Sequence, residues 1–134
     1  MIKIFIHYQP NPVRGDGVGD CAVRAVAKAT DLTWEQAYTE LSTSGFLMGD
    51  VMNSDQVLAA VLRKHGFVRG SVSEECPDCY TVSDFAAENP EGIFVIKSDN
   101  HVATIIDGNL FDAWDSSKRT PLWFWKKKTE DKKG

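Results

Sequence analysis

Residues 101–115 read HVATIIDGNLFDAWD. Two β-like runs, one opening at His101 and one closing at Asp115, are joined by Asp107-Gly108. Asp-Gly between such runs signals a two-residue hairpin turn, whose central positions need left-handed backbone. With the turn at 107 and 108, pairing is symmetric about that point. His101 then faces Trp114, and Asp112 lies diagonal to His101 on the same face, within side-chain reach. Asp115 points to the other face. One residue more or fewer in the turn exchanges the two acids.

Working outward, GIFVIKS (92–98) reads as a buried strand and PLWFWK (121–126) as a final one. The N-terminal half has helical signals instead. CAVRAVAKAT (21–30) is largely apolar without polar periodicity, which predicts a buried helix, with Asp20 at the N-cap position. Thr33-Trp34-Glu35-Gln36 is a capping-box pattern. It predicts a helix running to about Ser42, with Gly45 at its end. Asn53 and Ser54 can cap a third helix, DQVLAAVLRKHG, with Val57, Leu58, Val61 and Leu62 on its apolar face. A short fourth is expected near SDFAAEN (83–89), before Pro90. MIKIFIHY can form an edge strand or an extended arm, and QPNPVRGDGVGD (9–20) is a loop. Helices first and an antiparallel sheet after them make an α+β fold. One domain is expected over residues 1–125, followed by a disordered basic tail, 126–134.

Composition narrows the function classes. The chain has 134 residues and a formal net charge of −4, from 15 basic and 19 acidic residues. The tail KKKTEDKKG holds five lysines against two acids, so the remainder carries 10 basic and 17 acidic residues. An acidic body without a basic stripe argues against nucleic-acid binding. No stretch approaches the ~20 apolar residues of a membrane helix, and the N-terminus lacks the parts of a signal peptide. A cytoplasmic protein with no membrane partner is expected. Three cysteines, Cys21, Cys76 and Cys79, do not suggest a disulfide framework. Cys76-Pro-Asp-Cys79 has a zinc-knuckle spacing, but no second ligand pair accompanies it. The glycine-rich stretch 15–19 lacks the residues of a phosphate-binding or calcium loop. No metal or other cofactor is expected.

Cys21 stands where chemistry is favoured. A thiol at a helix N-terminus faces unpaired N–H groups and the positive end of the helix dipole, which favour the thiolate. His101 supplies a base. Asp112, or alternatively Asp115, can orient its imidazole and stabilise the imidazolium. Trp114 can shield the pair from water.

A helix-borne Cys, then a strand His, then an Asp or Asn on the next strand is the papain-like chain order. Asp112-Ala113-Trp114 resembles the Asn-Ser-Trp signature of that superfamily. More closely, NP…GDCAVRAVAKAT…TWEQAY together with HVATIIDGNLFDAWDSS resembles small phage- and gut-bacterium-encoded proteins described as hypothetical or papain-like cysteine peptidases. The resemblance spans roughly residues 11 to 125. It implies a papain-like fold and a cysteine hydrolase of peptidase, isopeptidase or amidase type, acting on a protein or peptide. The reaction would run through a Cys21–His101–Asp112 triad and an acyl-enzyme. The sequence departs from the family at Gly15, where papain-like enzymes carry the glutamine that donates to the oxyanion. Gln9 and Asn11 are the candidate amides in its place. The departure keeps an alternative open: a catalytically inactive papain-like fold serving as a phage or bacterial protein-binding or inhibitor module.

Overall fold

The structure is a computed structural model that describes residues 4–15, 18–72 and 80–129. Its elements run β1 (Phe5–His7), α1 (Cys21–Thr30), α2 (Trp34–Met48), α3 (Asp55–Lys64), β2 (Phe67–Ser71), α4 (Val82–Glu88), β3 (Ile93–Ser98), β4 (His101–Ile106), β5 (Asn109–Asp112) and β6 (Trp123–Lys127). The α+β arrangement is as expected. The six strands form one sheet in the order β1-β5-β4-β3-β6-β2.

The hairpin register is the one read from Asp107-Gly108. Ile106 pairs with Asn109, Ile105 with Leu110 and Thr104 with Phe111. Asp107 and Gly108 both take left-handed backbone, with φ of 50° and 82°. The sheet departs from a purely antiparallel one at its edge, where β1 pairs with β5 in parallel and His7 registers with Asp112. No tight turn joins these two strands, so nothing imposes the antiparallel direction.

Strand alternation divides the core between the two faces of the sheet. Val95, Val102 and Trp125 pack with Val26, Leu41, Val57 and Leu62 of the first three helices. Phe94, Ile96, Ala103, Ile105 and Leu110 pack with Val82, Phe85 and Ala86 of α4. The sheet is therefore covered on both sides, which explains the unbroken apolar run of β3. No helix among the described residues is long and apolar enough to cross a membrane.

Four features differ from expectation. The strand after the turn ends at Asp112 rather than Asp115, so His101 and Trp114 are not a cross-strand pair. β2 was not foreseen, because Arg69, Gly70 and Ser71 weaken the strand pattern. Gly70 is nevertheless required there. A Cβ would lie 2.3 Å from the Phe124 ring, and that ring is held between Phe85 and Phe94. The basic tail begins later than Lys126, since Lys126 and Lys127 pair with Val68 and Phe67 inside the sheet. Residues 130–134 lie outside the described residues, as does the Cys76–Cys79 pair. Finally, α2 continues past Ser42 and Gly45 to Met48, and Gly49 caps it at φ 71°. Gly45 is not the stop but a contact point: a Cβ would meet the Asp50 carbonyl oxygen at 2.9 Å and the Met52 Cα at 3.1 Å.

Gly45→Ala weighs two effects against each other. Alanine raises helix propensity by about 1 kcal/mol, while overpacking against fixed backbone costs about 1–3 kcal/mol. The expected result is a lower urea midpoint with an unchanged denaturant slope. A more stable variant would show that the 50–52 turn yields freely.

Candidate active site

Cys21 is the first residue of α1, and no acidic residue follows it in the first turn. Asp20 occupies the N-cap position, yet its side chain makes no capping bond. Its carboxylate is engaged elsewhere. Oδ1 pairs with the Arg24 guanidinium, and Oδ2 accepts from Trp34 Nε1 at 3.0 Å and Asn11 Nδ2 at 3.2 Å. The leading N–H groups of the helix are therefore left to the thiol and whatever approaches it. The helix is fixed against the sheet by Thr104, whose hydroxyl donates to the Ala25 carbonyl at 2.8 Å. That contact sets the position of Cys21 relative to β4.

His101 opens β4 immediately after Asn100, a left-handed residue at φ 54°. Asn tolerates that conformation better than most residues, so the chain can turn sharply into the strand. The imidazole lies on the face shared with Asp112, the diagonal placement read from the hairpin. His101 Nε2 and Asp112 Oδ2 are 2.6 Å apart. The Trp114 ring stacks over the imidazole at 4.6 Å between centroids, tilted by 40°. The shielding expected of Trp114 has a direct geometric basis.

Asp112 is 1% exposed. Its Oδ2 also accepts from the Ser116 hydroxyl at 2.6 Å, while Oδ1 accepts from Arg24 Nη2 at 3.1 Å and the Ala113 N–H at 2.8 Å. These four donors, His101 included, match the acceptor capacity of a carboxylate. Burial alone would push its pKa up, but the bonds from His101 and Ser116 and the charge of His101 hold it below the ordinary carboxylate range. Asp115 is elsewhere. It is exposed and accepts from the Ser117 N–H at 3.0 Å. Of the two acids, Asp112 is the one on His101.

The Cys21 thiol and the His101 imidazole line the same cavity, and each acts on the other's protonation. Nε2 is committed to Asp112, so Nδ1 is the ring nitrogen left for the thiol. Burial pushes the Cys21 thiol up. The bond with His101, the backbone bond with Val102 and the charges of His101 and Arg24 outweigh it, and the net direction is down. For His101, burial pushes the pKa down, and the bonds to Asp112 and Cys21 reverse this, raising it to about 9. Both directions favour a thiolate–imidazolium pair near neutral pH. Asp20 does not act on the thiol as a neighbouring charge would, because its charge is answered by Arg24.

The two amides part company. Gln9 lines a cavity of about 630 Å³ together with Cys21, Arg24, Asn100, His101 and Trp114, a size usual for ligand pockets. It is carried there by β1, since the Tyr8 N–H donates to the Asp112 carbonyl at 2.8 Å. Its Oε1 accepts from the Asn11 N–H at 3.1 Å, which turns the amide donor end away from that loop. Asn11 does not line this cavity. Its Oδ1 staples the Val13 and Arg14 N–H groups and its Nδ2 is on Asp20. It braces the loop and is not brought to the Cys21 cavity.

Sequence reasoning missed Arg24, Ser116 and the role of Asp20. Arg24 had a signal: a charge inside an otherwise apolar buried helix requires a buried counter-charge. Ser116 had none, since it lies beyond the hairpin in an irregular segment.

The raised imidazole has a measurable consequence. Folded His101 keeps its proton to about pH 9, while the unfolded chain releases it near 6.5. Its contribution to stability is complete below about pH 6.5 and is lost as pH rises through about 9. The lowered thiol acts with the opposite sign at the alkaline end, so the imidazole is best read in Cys21→Ala. Urea stability of that variant is expected to fall as pH rises from 6.5 through its imidazole pKa. The fall is expected to vanish in Cys21→Ala/His101→Gln. Equal profiles in the two variants would mean that Asp112 does not hold His101 charged.

No protein-family model, curated protein or solved structure matches this chain.

Proposed function

We propose that this protein is a papain-like cysteine hydrolase of the peptidase, isopeptidase or amidase type, acting on a protein or peptide through Cys21, His101 and Asp112. The observation that carries this reading is a cavity lined by both the Cys21 thiol and the His101 imidazole, with the imidazole held 2.6 Å from buried Asp112 and the charge of His101 lowering the thiol's pKa. The order of parts supports it as well: a Cys at a helix N-terminus, a His on a strand, and an Asp on the next strand followed by a Trp that covers the imidazole.

The chemistry follows from the geometry. The Cys21 thiolate attacks the carbonyl carbon, and negative charge moves to the carbonyl oxygen. The Cys21 N–H, which has no backbone partner among the described residues, and the Gln9 side-chain amide are the donors for that oxygen. His101 gives its proton to the leaving amine as the C–N bond breaks, and the acyl group stays on sulfur. Water then gives a proton to His101 and attacks the thioester carbon as the C–S bond breaks, releasing the acid and restoring the Cys21 thiolate beside protonated His101. Asp112 holds the imidazole plane and stabilises its charged form throughout. A thiolate nucleophile suits a reducing compartment, so the cytoplasm is the proposed location, that of the host if the gene is phage-borne. Gly15, at the position of the family's oxyanion glutamine, is the one observation that favours an inactive binding or inhibitor module. Gln9 in the cavity favours the hydrolase.

The test uses two probes on Cys21, each read site by site by mass spectrometry. Alkylation by iodoacetamide is expected to show an apparent thiol pKa below the ~8.5 of free cysteine, rising in His101→Ala. Acylation by p-nitrophenyl acetate is expected to give a burst of nitrophenolate and an acetyl adduct on Cys21. Gln9→Ala is expected to slow acylation by about 10²-fold or more, the effect of removing one oxyanion donor, with alkylation unchanged because it forms no oxyanion. A thiol pKa indifferent to His101, with no acylation, would sink the hydrolase reading in favour of the binding module.

A further inference from the structure

Arg24 is a buried cation with two different carboxylates on one guanidinium. Nη1 pairs with Asp20, the N-cap residue of α1, and Nη2 with Asp112 at the end of β5, 3.1 Å away. Asp20 and Arg24 are each 6% exposed and Asp112 is 1% exposed. The Arg24 Nε–H is buried with no hydrogen-bond partner among the described residues. The guanidinium is thus held by its two outer nitrogens alone, each bound to a different acid.

The pairing reaches both sides of the cavity. On one side, Asp112 Oδ1 meets Arg24 and the Ala113 N–H, leaving Oδ2 to His101 and Ser116. The carboxylate plane is set by this division. On the other side, Asp20 Oδ2 takes Asn11 Nδ2, and the Asn11 N–H takes Gln9 Oε1. The loop residue whose backbone N–H holds the Gln9 amide oxygen is thus tied by its side chain to the same ion pair. Lysine has one ammonium and cannot reproduce a planar fork that spans two acids at fixed separation.

We propose that Arg24 is a positioning residue for the reacting groups: by spanning Asp20 and Asp112 it fixes the imidazole of His101 through Asp112, and the amide of Gln9 through Asp20 and Asn11. The inference rests on the hydrolase reading. Arg24 does not touch the bond that breaks. It supplies geometry through its fork and field through its charge, and substitutions separate the two. Arg24→Lys keeps the charge and loses the fork. Arg24→Met loses both. Asp20→Asn keeps Arg24 and weakens one arm.

The experiment measures, for wild type and each variant, the rate of Cys21 acylation by p-nitrophenyl acetate and the pH profile of Cys21 alkylation. Folding is checked by circular dichroism. Arg24→Lys is expected to leave the apparent thiol pKa within a few tenths of a unit of wild type and to slow acylation tenfold or more. Arg24→Met is expected to slow acylation at least as much and to raise the apparent thiol pKa. Asp20→Asn is expected to slow acylation with little change in the pH profile. If Arg24→Met does not fold, the other two variants carry the test. Folded variants that acylate at the wild-type rate, with changes confined to thermal stability, would overturn the positioning role and leave the hydrolase reading intact. Absence of acylation in the wild type itself would overturn the hydrolase reading, and this role with it.

Discussion

The carboxylate of Asp112 is withdrawn from water, and its two oxygens accept from four groups that the chain brings from separate places: an imidazole on β4, a guanidinium on α1, a hydroxyl beyond β5 and the adjoining N–H. A buried anion is tolerable only when its lone pairs are filled and its charge answered. Meeting that condition forces α1, β4 and the segment after β5 into one arrangement. The same arrangement brings Cys21 to the imidazole. Removing any one donor leaves a buried charge with an unfilled lone pair, whose desolvation is then uncompensated.

The sheet makes this possible by geometry rather than by local preference. The type of turn at Asp107-Gly108 fixes the β4–β5 register, and register decides which acid shares a face with His101. β1 then lines the outer side of β5 in parallel and carries Gln9 to the cavity from the strand end. Thr104 holds α1 at the matching height. Backbone pairing thus places thiol, imidazole and amide before any side-chain contact between them is considered.

Much of this was legible in the residues. The Asp-Gly turn, the alternation around it and the helix-opening cysteine are short-range patterns, and each led to the right place. Asp112 was the first choice over Asp115, but the two stayed open until the two-residue turn was seen, because one residue there exchanges their faces. Other parts were not legible because they depend on contacts distant in sequence. Gly70 weakens β2 as a local pattern and is required only by the Phe124 ring. Gly45 looks like a helix stop until the 50–52 turn is seen packed against it. Asn11 had the right chemistry for an oxyanion donor, but Asp20, nine residues on, claims its amide. Arg24 was visible as a charge in an apolar helix, although its two partners could not be named without the fold.

Cys21 and His101 are eighty positions apart in the chain, and everything that lowers the thiol's pKa belongs to the folded state. In the unfolded ensemble Cys21 is an ordinary thiol. The amount of activated sulfur at a given pH is therefore the product of two populations: molecules that are folded, and folded molecules with the proton on His101. Nucleophilicity is in this sense conferred by folding. It is withdrawn whenever the fold opens, so an unfolding chain exposes its apolar core without exposing an unusually reactive sulfur.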